Sequence, residues 1–167
     1  MSKHPDPPPA ASSAYIQLHT TALAFIDAQA QAPEHLNRMD FDRISELCTS
    51  EYQHSWGHNY ATSLNPRFQG TQSFHDFATH LRAMLPNLKS WETTVTDITV
   101  DEPKRKVILR ISFWMVPKDT EEPVENDLLW MLEMDEEGKK IKSSKEFVDG
   151  VAAAKLKEII MANVVKK

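Results

Sequence analysis

The chain has 167 residues, 41% hydrophobic and 26% charged, with 19 Lys and Arg against 24 Asp and Glu for a formal charge of -5. That length supports one soluble domain with its own core, and an acidic balance without any basic run argues against nucleic acid as a partner. A single cysteine, Cys48, excludes an internal disulfide and makes the thiol-reducing cytoplasm the default compartment.

Pro5, Pro7, Pro8 and Pro9 oppose both helix and ladder pairing, so residues 1–12 are expected to be a disordered tail ahead of one domain over 13–167. The start of the chain has neither signal-peptide nor transit-peptide character. No run approaches about 18 apolar residues, so no membrane partner is expected. From Ser13, the apolar residues Leu18, Ala22, Phe25 and Ile26 recur at helical spacing. A second, short helix is expected after an Asp40 N-cap, with Phe41, Ile44, Leu47 and Cys48 on one side and an end near Thr49 and Ser50. Residues 52–58 suggest a short strand. A third helix from Thr71 carries Phe74, Phe77, Ala78, Leu81 and Leu85 on one stripe before Pro86 stops it.

The period then changes from helical to alternating. Residues 91–100, 106–116, 126–134 and 140–148 are rich in β-branched and aromatic side chains and are separated by short turn-like clusters. Connections that short join antiparallel neighbours, which predicts an antiparallel meander. A closing helix over 151–164, capped by Asp149, completes the reading, and Lys155, Lys157, Lys166 and Lys167 read as its solvated face.

This order of elements, together with Pro123-Val124-Glu125-Asn126-Asp127-Leu128-Leu129-Trp130, Asp135-Glu136-Glu137-Gly138-Lys139-Lys140-Ile141 and Lys145-Glu146-Phe147-Val148-Asp149, resembles the SnoaL-like proteins of the nuclear transport factor 2-like superfamily, in particular small fungal members. The resemblance covers roughly residues 13–160. It implies an α+β, cystatin-like cone: a curved antiparallel sheet wrapped around three helices, with a C-terminal helix and an apolar pocket at the open end. It further implies cofactor-independent chemistry on polyketide-like or terpenoid molecules of secondary metabolism, and a homodimer formed through the outer sheet face, where Ile141, Phe147, Leu129 and Met131 would make the seam.

Alternation puts Lys142, Ser144, Glu146 and Val148 on one face of the last strand and Ile141, Ser143, Lys145 and Phe147 on the other. Parity leaves the inward face open; the resemblance implies the Glu146 face, with Glu146 as pocket acid or base. A carboxyl enclosed by apolar walls has its charged form disfavoured, which raises its pKa toward the range useful at neutrality. The alternative is a solvated carboxylate beside Lys142 or Lys145. His54, Trp56 and His58 alternate on the strand at 52–58, with His54 the candidate catalytic partner and Trp56 and His58 candidate binding residues, or else ordinary histidines at the rim.

Asn126, Leu128 and Trp130 share a strand face that would meet the ligand along with Val124, Ser144, Phe74, Phe77 and Leu81. Trp130 and Trp114 are expected to pack in the core first. Val124 and Leu128 stand where some similar isomerases carry tyrosines, which removes hydroxyl donors. His54, His58, His75 and His80 match no zinc signature, so no metal is expected. Two functions fit: a cofactor-free dehydratase, isomerase or cyclase driven by Glu146 and His54, or a non-catalytic module that binds a hydrophobic small molecule or assembles as a dimer.

Overall fold

Local capping and apolar stripes set the helices where the sequence places them. The computed structural model describes residues 4–118 and 120–165, apart from the side chains of 163–165, so Asp119, Lys166 and Lys167 lie outside it. In α1 (Ser13–Asp27) the Ser12 hydroxyl accepts the Tyr15 N–H, and Leu18, Ala22, Phe25 and Ile26 are buried. In α2 (Phe41–Leu47) the Asp40 carboxylate accepts the Arg43 N–H at 2.9 Å, and Phe41, Ile44 and Leu47 are buried. The chain passes from Leu47 directly into β1 (Cys48–Trp56), earlier than the helix end expected near Thr49 and Ser50. A five-residue helix, α3 (Asn59–Ser63), and a 3-10 turn at Pro66–Phe68 follow. Neither is long enough to carry a periodic stripe, which is why the sequence does not announce them. Gln72–Ser73 form a two-residue strand β2 on β1, and Ser73 caps α4 (Phe74–Met84), so the third helix begins three residues later than Thr71.

The second half is β3 (Leu88–Asp101), β4 (Lys106–Pro117), β5 (Val124–Met134), β6 (Ile141–Phe147) and α5 (Gly150–Val165). Strands β3 to β6 form the expected antiparallel meander in one sheet of order β2-β1-β6-β5-β4-β3. The departure is β1, which pairs with β6 in parallel. These strands are far apart in the chain, so connection length carries no information about their pairing.

Register shifts between Leu88 and Ser90, between Val95 and Asp97, and between Glu133 and Met134 mark irregularities of the kind that bend strands and curve a sheet around its helices. The last of them also corrects a parity expectation. Met134 pairs with Ile141 but Glu133 pairs with Ser143, so Lys142 is an extra residue in β6, and Ile141 turns inward along with Ser144 and Glu146. Ile141 is fully buried and Lys142 is exposed, which removes Ile141 from any outer seam. Phe147 is half-buried, while Leu129 and Met131 are exposed on the outer face. Trp114 joins them there at 42% exposure instead of packing in the core, because the inward parity of β4 belongs to Leu109, Ile111, Phe113 and Met115.

Helices α1, α2 and α4 fill the concave side, where Phe25, Phe77 and Trp130 meet edge to face. Arg38, at φ 58°, donates to the carbonyls of Leu85, Leu88 and Lys89 and lies over the Trp91 ring, locking the loop after α1 to the start of β3. Asp149 caps α5 by accepting the Val151 and Ala152 N–H groups. Lys155 on α5 reaches Glu158, and Lys157 borders the cavity described next. Among the described residues no helix is long and apolar enough to cross a membrane.

Candidate active site

The curved sheet, α4 and α5 enclose a cavity of about 1230 Å³, above the roughly 300–1,000 Å³ common for small-molecule pockets. Its walls are mostly apolar, with Met84, Leu88, Trp91, Phe113, Met115 and Leu128 among them. Glu146 opens onto this space. It is the register partner of Trp56 on one side and of Trp130 on the other, and it is only 7% exposed. Its carboxyl has no hydrogen-bond partner among the described residues, and burial pushes its pKa up to about 8. Such a group keeps its proton at neutral pH.

His54 sits behind Glu146, not in the cavity wall. It is fully buried, with the Phe77 ring 4.4 Å and the Trp56 ring 4.8 Å from its own, centroid to centroid. Its Nδ1 bonds the Ser144 hydroxyl at 2.8 Å, and that hydroxyl also bonds the Tyr52 phenol at 2.5 Å. Burial, reinforced by the nearby His80, pushes the His54 pKa down to about 3. The Tyr52 phenol is driven well above its ordinary value, chiefly by burial. His54 Nε2 lies 3.8 Å from Glu146 Oε2, but with the imidazole neutral and the carboxyl protonated this contact is not an ion pair. The geometry gives His54, expected as a second acid or base, a supporting place: its ring, tied to Tyr52 through Ser144, forms the wall behind the carboxyl and does not line the cavity.

The other expected residues divide in the same way. Trp56, Leu81, Asn126, Leu128 and Trp130 line the cavity beside Glu146, and His58 lines its rim. Ser144, Phe77 and Phe74 do not reach it: Ser144 faces Tyr52 and His54, Phe77 packs between His54 and Trp130, and Phe74 packs on Tyr52. Val124 is half-buried and packs on the core instead of the ligand space. His58 is exposed because the strand's alternation stops at Gly57. There the chain approaches Phe147 so closely that a Cβ would lie 2.2 Å from its ring, and His58 turns outward at φ 60°.

Asn126 is 6% exposed and its Oδ1 accepts the Asp149 N–H at 3.2 Å. A backbone N–H can only donate, so this bond fixes the amide orientation and leaves the Asn126 nitrogen free to donate.

Several cavity residues were not singled out from the sequence. Phe68, Trp56 and His80 form a ring cluster with centroids 4.9 to 5.8 Å apart, and burial followed by the Arg67 charge lowers the His80 pKa. Gln29 and Trp91 line the opposite side. Tyr52 had a visible signal, since it precedes His54 and Trp56 in the same alternation. Among the described residues no three His, Cys, Asp or Glu side chains converge to hold a metal ion; His75 is exposed beside Asp76.

No protein-family model and no curated protein matches the chain. Solved structures do match it. PrhC from Penicillium brasilianum is 17% identical with a TM-score of 0.75, covering 93% of this chain and 95% of that one. A pinacolase, BvnE from Penicillium brevicompactum, is 18% identical with a TM-score of 0.72, covering 92% and 97%. A chain described as a SnoaL-like polyketide cyclase from Jannaschia is 12% identical with a TM-score of 0.66, covering 88% and 95%. The cone, the meander and these matches establish that the chain has the SnoaL-like, nuclear transport factor 2-like fold that its sequence resembles.

Proposed function

We propose that the protein is a cofactor-independent acid–base enzyme, a dehydratase, isomerase or cyclase, acting in the cytoplasm on a bulky polyketide-like or terpenoid molecule. One observation carries this reading: Glu146 is an unpaired carboxyl flanked by two indoles on the wall of a large apolar cavity. With a pKa of about 8, roughly nine in ten copies hold the proton at pH 7. The group is a proton donor at working pH, and its conjugate base is strong enough to take a proton back.

The chemistry follows from that state. A substrate oxygen within reach of Glu146 receives the proton, while the free amide of Asn126 is placed to hold a second acceptor. The carboxylate then recovers a proton from a neighbouring carbon: with the protonated oxygen lost as water the sequence is a dehydration, with it retained an isomerisation, and neither needs another reactant. The apolar walls keep water from a cationic or enolic intermediate. That a pinacolase shares this fold supports acid chemistry on the scaffold. A substrate screen read by mass spectrometry tests the proposal: turnover should appear with wild type and vanish in Glu146→Gln. Equal turnover by the two proteins contradicts it, and ligand binding without turnover by either favours the non-catalytic module.

The same reading includes a homodimer through the outer sheet face, supported by exposed Trp114, Leu129 and Met131. Leu129→Glu should sediment as a monomer where wild type sediments as a dimer; an unchanged dimer would remove this face as the seam.

A further inference from the structure

Two polar side chains of the cavity wall have their orientation fixed from behind. Asn126 is one. Gln29 is the other, just past the end of α1 and on the β3 side of the cavity. It is 2% exposed. Its Nε2 donates to the Phe25 carbonyl at 3.2 Å, and a carbonyl can only accept, so the amide cannot be reversed. Its own backbone carbonyl accepts the Trp91 indole N–H at 3.0 Å, and Trp91 N–H donates to Gln31, which pins this stretch to β3. Gln29 Oε1 is left without a partner among the described residues, in a wall otherwise made of Met39, Leu85, Leu88 and Trp91. This oxygen is open to the cavity, where water or a ligand hydroxyl can donate to it.

We propose that Gln29 is a second polar anchor of the ligand, its Oε1 accepting a hydrogen bond from a hydroxyl at the end remote from the oxygen that Glu146 serves. This rests on the reading of the cavity as a small-molecule site and narrows the ligand class. Strands β6 and β3, which carry Glu146 and Trp91, are separated by β5 and β4. Three strand spacings at about 4.8 Å give roughly 14 Å along the curved sheet. The ligand is therefore an elongated, largely apolar skeleton with a hydroxyl at the Gln29 end and an acceptor oxygen at the Asn126 and Glu146 end. A carbonyl in place of that hydroxyl sets acceptor against acceptor and is rejected.

Three rigid probes test this by calorimetry on the full chain: epiandrosterone, with a hydroxyl and a ketone at opposite ends; androstanedione, with ketones at both; and androstan-17-one, with the hydroxyl removed. Epiandrosterone should bind about tenfold more tightly than either of the others. In Gln29→Met it should fall to within about twofold of androstan-17-one. The Gln29 side-chain amide resonance of wild type gives a second reading that does not depend on that variant folding: epiandrosterone should shift it and androstan-17-one should not. Equal affinities, binding by none of the three, or an unmoved amide resonance would overturn the proposal. The same series on Glu146→Gln separates it from the catalytic reading, because discrimination at Gln29 should persist there whether or not Glu146 moves protons.

Discussion

Glu146→Gln is expected to lower turnover about 10²- to 10⁴-fold, the usual worth of a positioned proton donor, while making the protein more stable at alkaline pH. The two effects share a cause. The Glu146 pKa is about 8 in the fold against an ordinary value of 4.5. Below pH 4.5 the carboxyl is protonated in both states and costs nothing. Between 4.5 and 8 the unfolded chain releases the proton and the fold does not, so stability falls by about 1.4 kcal/mol per pH unit. Above 8 the loss levels off at roughly 5 kcal/mol, an upper figure because a buried carboxylate relaxes its surroundings. Gln has the same shape and no such cost. Thermal melts from pH 4 to 9 should show the variant gaining on wild type from about pH 4.5 upward, and coincident melts at pH 9 would mean that the wild-type carboxyl is already solvated.

His54→Ala should destabilise the protein by about 3–5 kcal/mol at pH 7, measured by urea denaturation. The imidazole is fully buried among Phe77, Trp56 and Trp130, and its loss leaves a void behind Glu146 and removes the Ser144 hydroxyl's bond to the ring. The variant also changes the pH dependence. With a pKa of about 3 in the fold against an ordinary value of 6.5, His54 contributes stability that is present above pH 6.5 and lost as pH falls toward 3. Between 4.5 and 6.5 this trend opposes that of Glu146. From these two groups, wild type should be nearly flat across that window and weaken on either side, whereas His54→Ala should weaken on the alkaline side only. An acid limb that survives in His54→Ala would assign the acid sensitivity to other groups.

Most of the architecture was legible because two periods were written plainly. The stripe of Leu18, Ala22, Phe25 and Ile26, the Asp40 and Asp149 caps, and the four alternating runs after residue 88 each point to one local structure, and the structure follows them. What could not be read depends on contacts distant in sequence. The extra residue at Lys142 turns Ile141 inward, and only its pairing with Met134 reveals this. Parallel pairing of β1 with β6 leaves no mark in either strand, yet it is what sets Trp56 beside Glu146.

Legibility of the candidate site splits in the same way. Alternation put His54, Trp56 and His58 on one face and left open whether that face turns inward, and it could not show that Phe77 covers His54 or that Ser144 ties it to Tyr52. Gln29 lies past a helix end, where neither period applies, and its orientation comes from two carbonyl contacts that no pattern encodes.

The proposed chemistry depends on one protonation state, and a carbon-detected NMR titration of the Glu146 side chain, assigned with Glu146→Gln, measures it directly. The midpoint is expected near 8. A midpoint near the ordinary value of 4.5 would contradict the proposal, because a carboxylate already ionised at pH 7 cannot be the proton donor of this cavity.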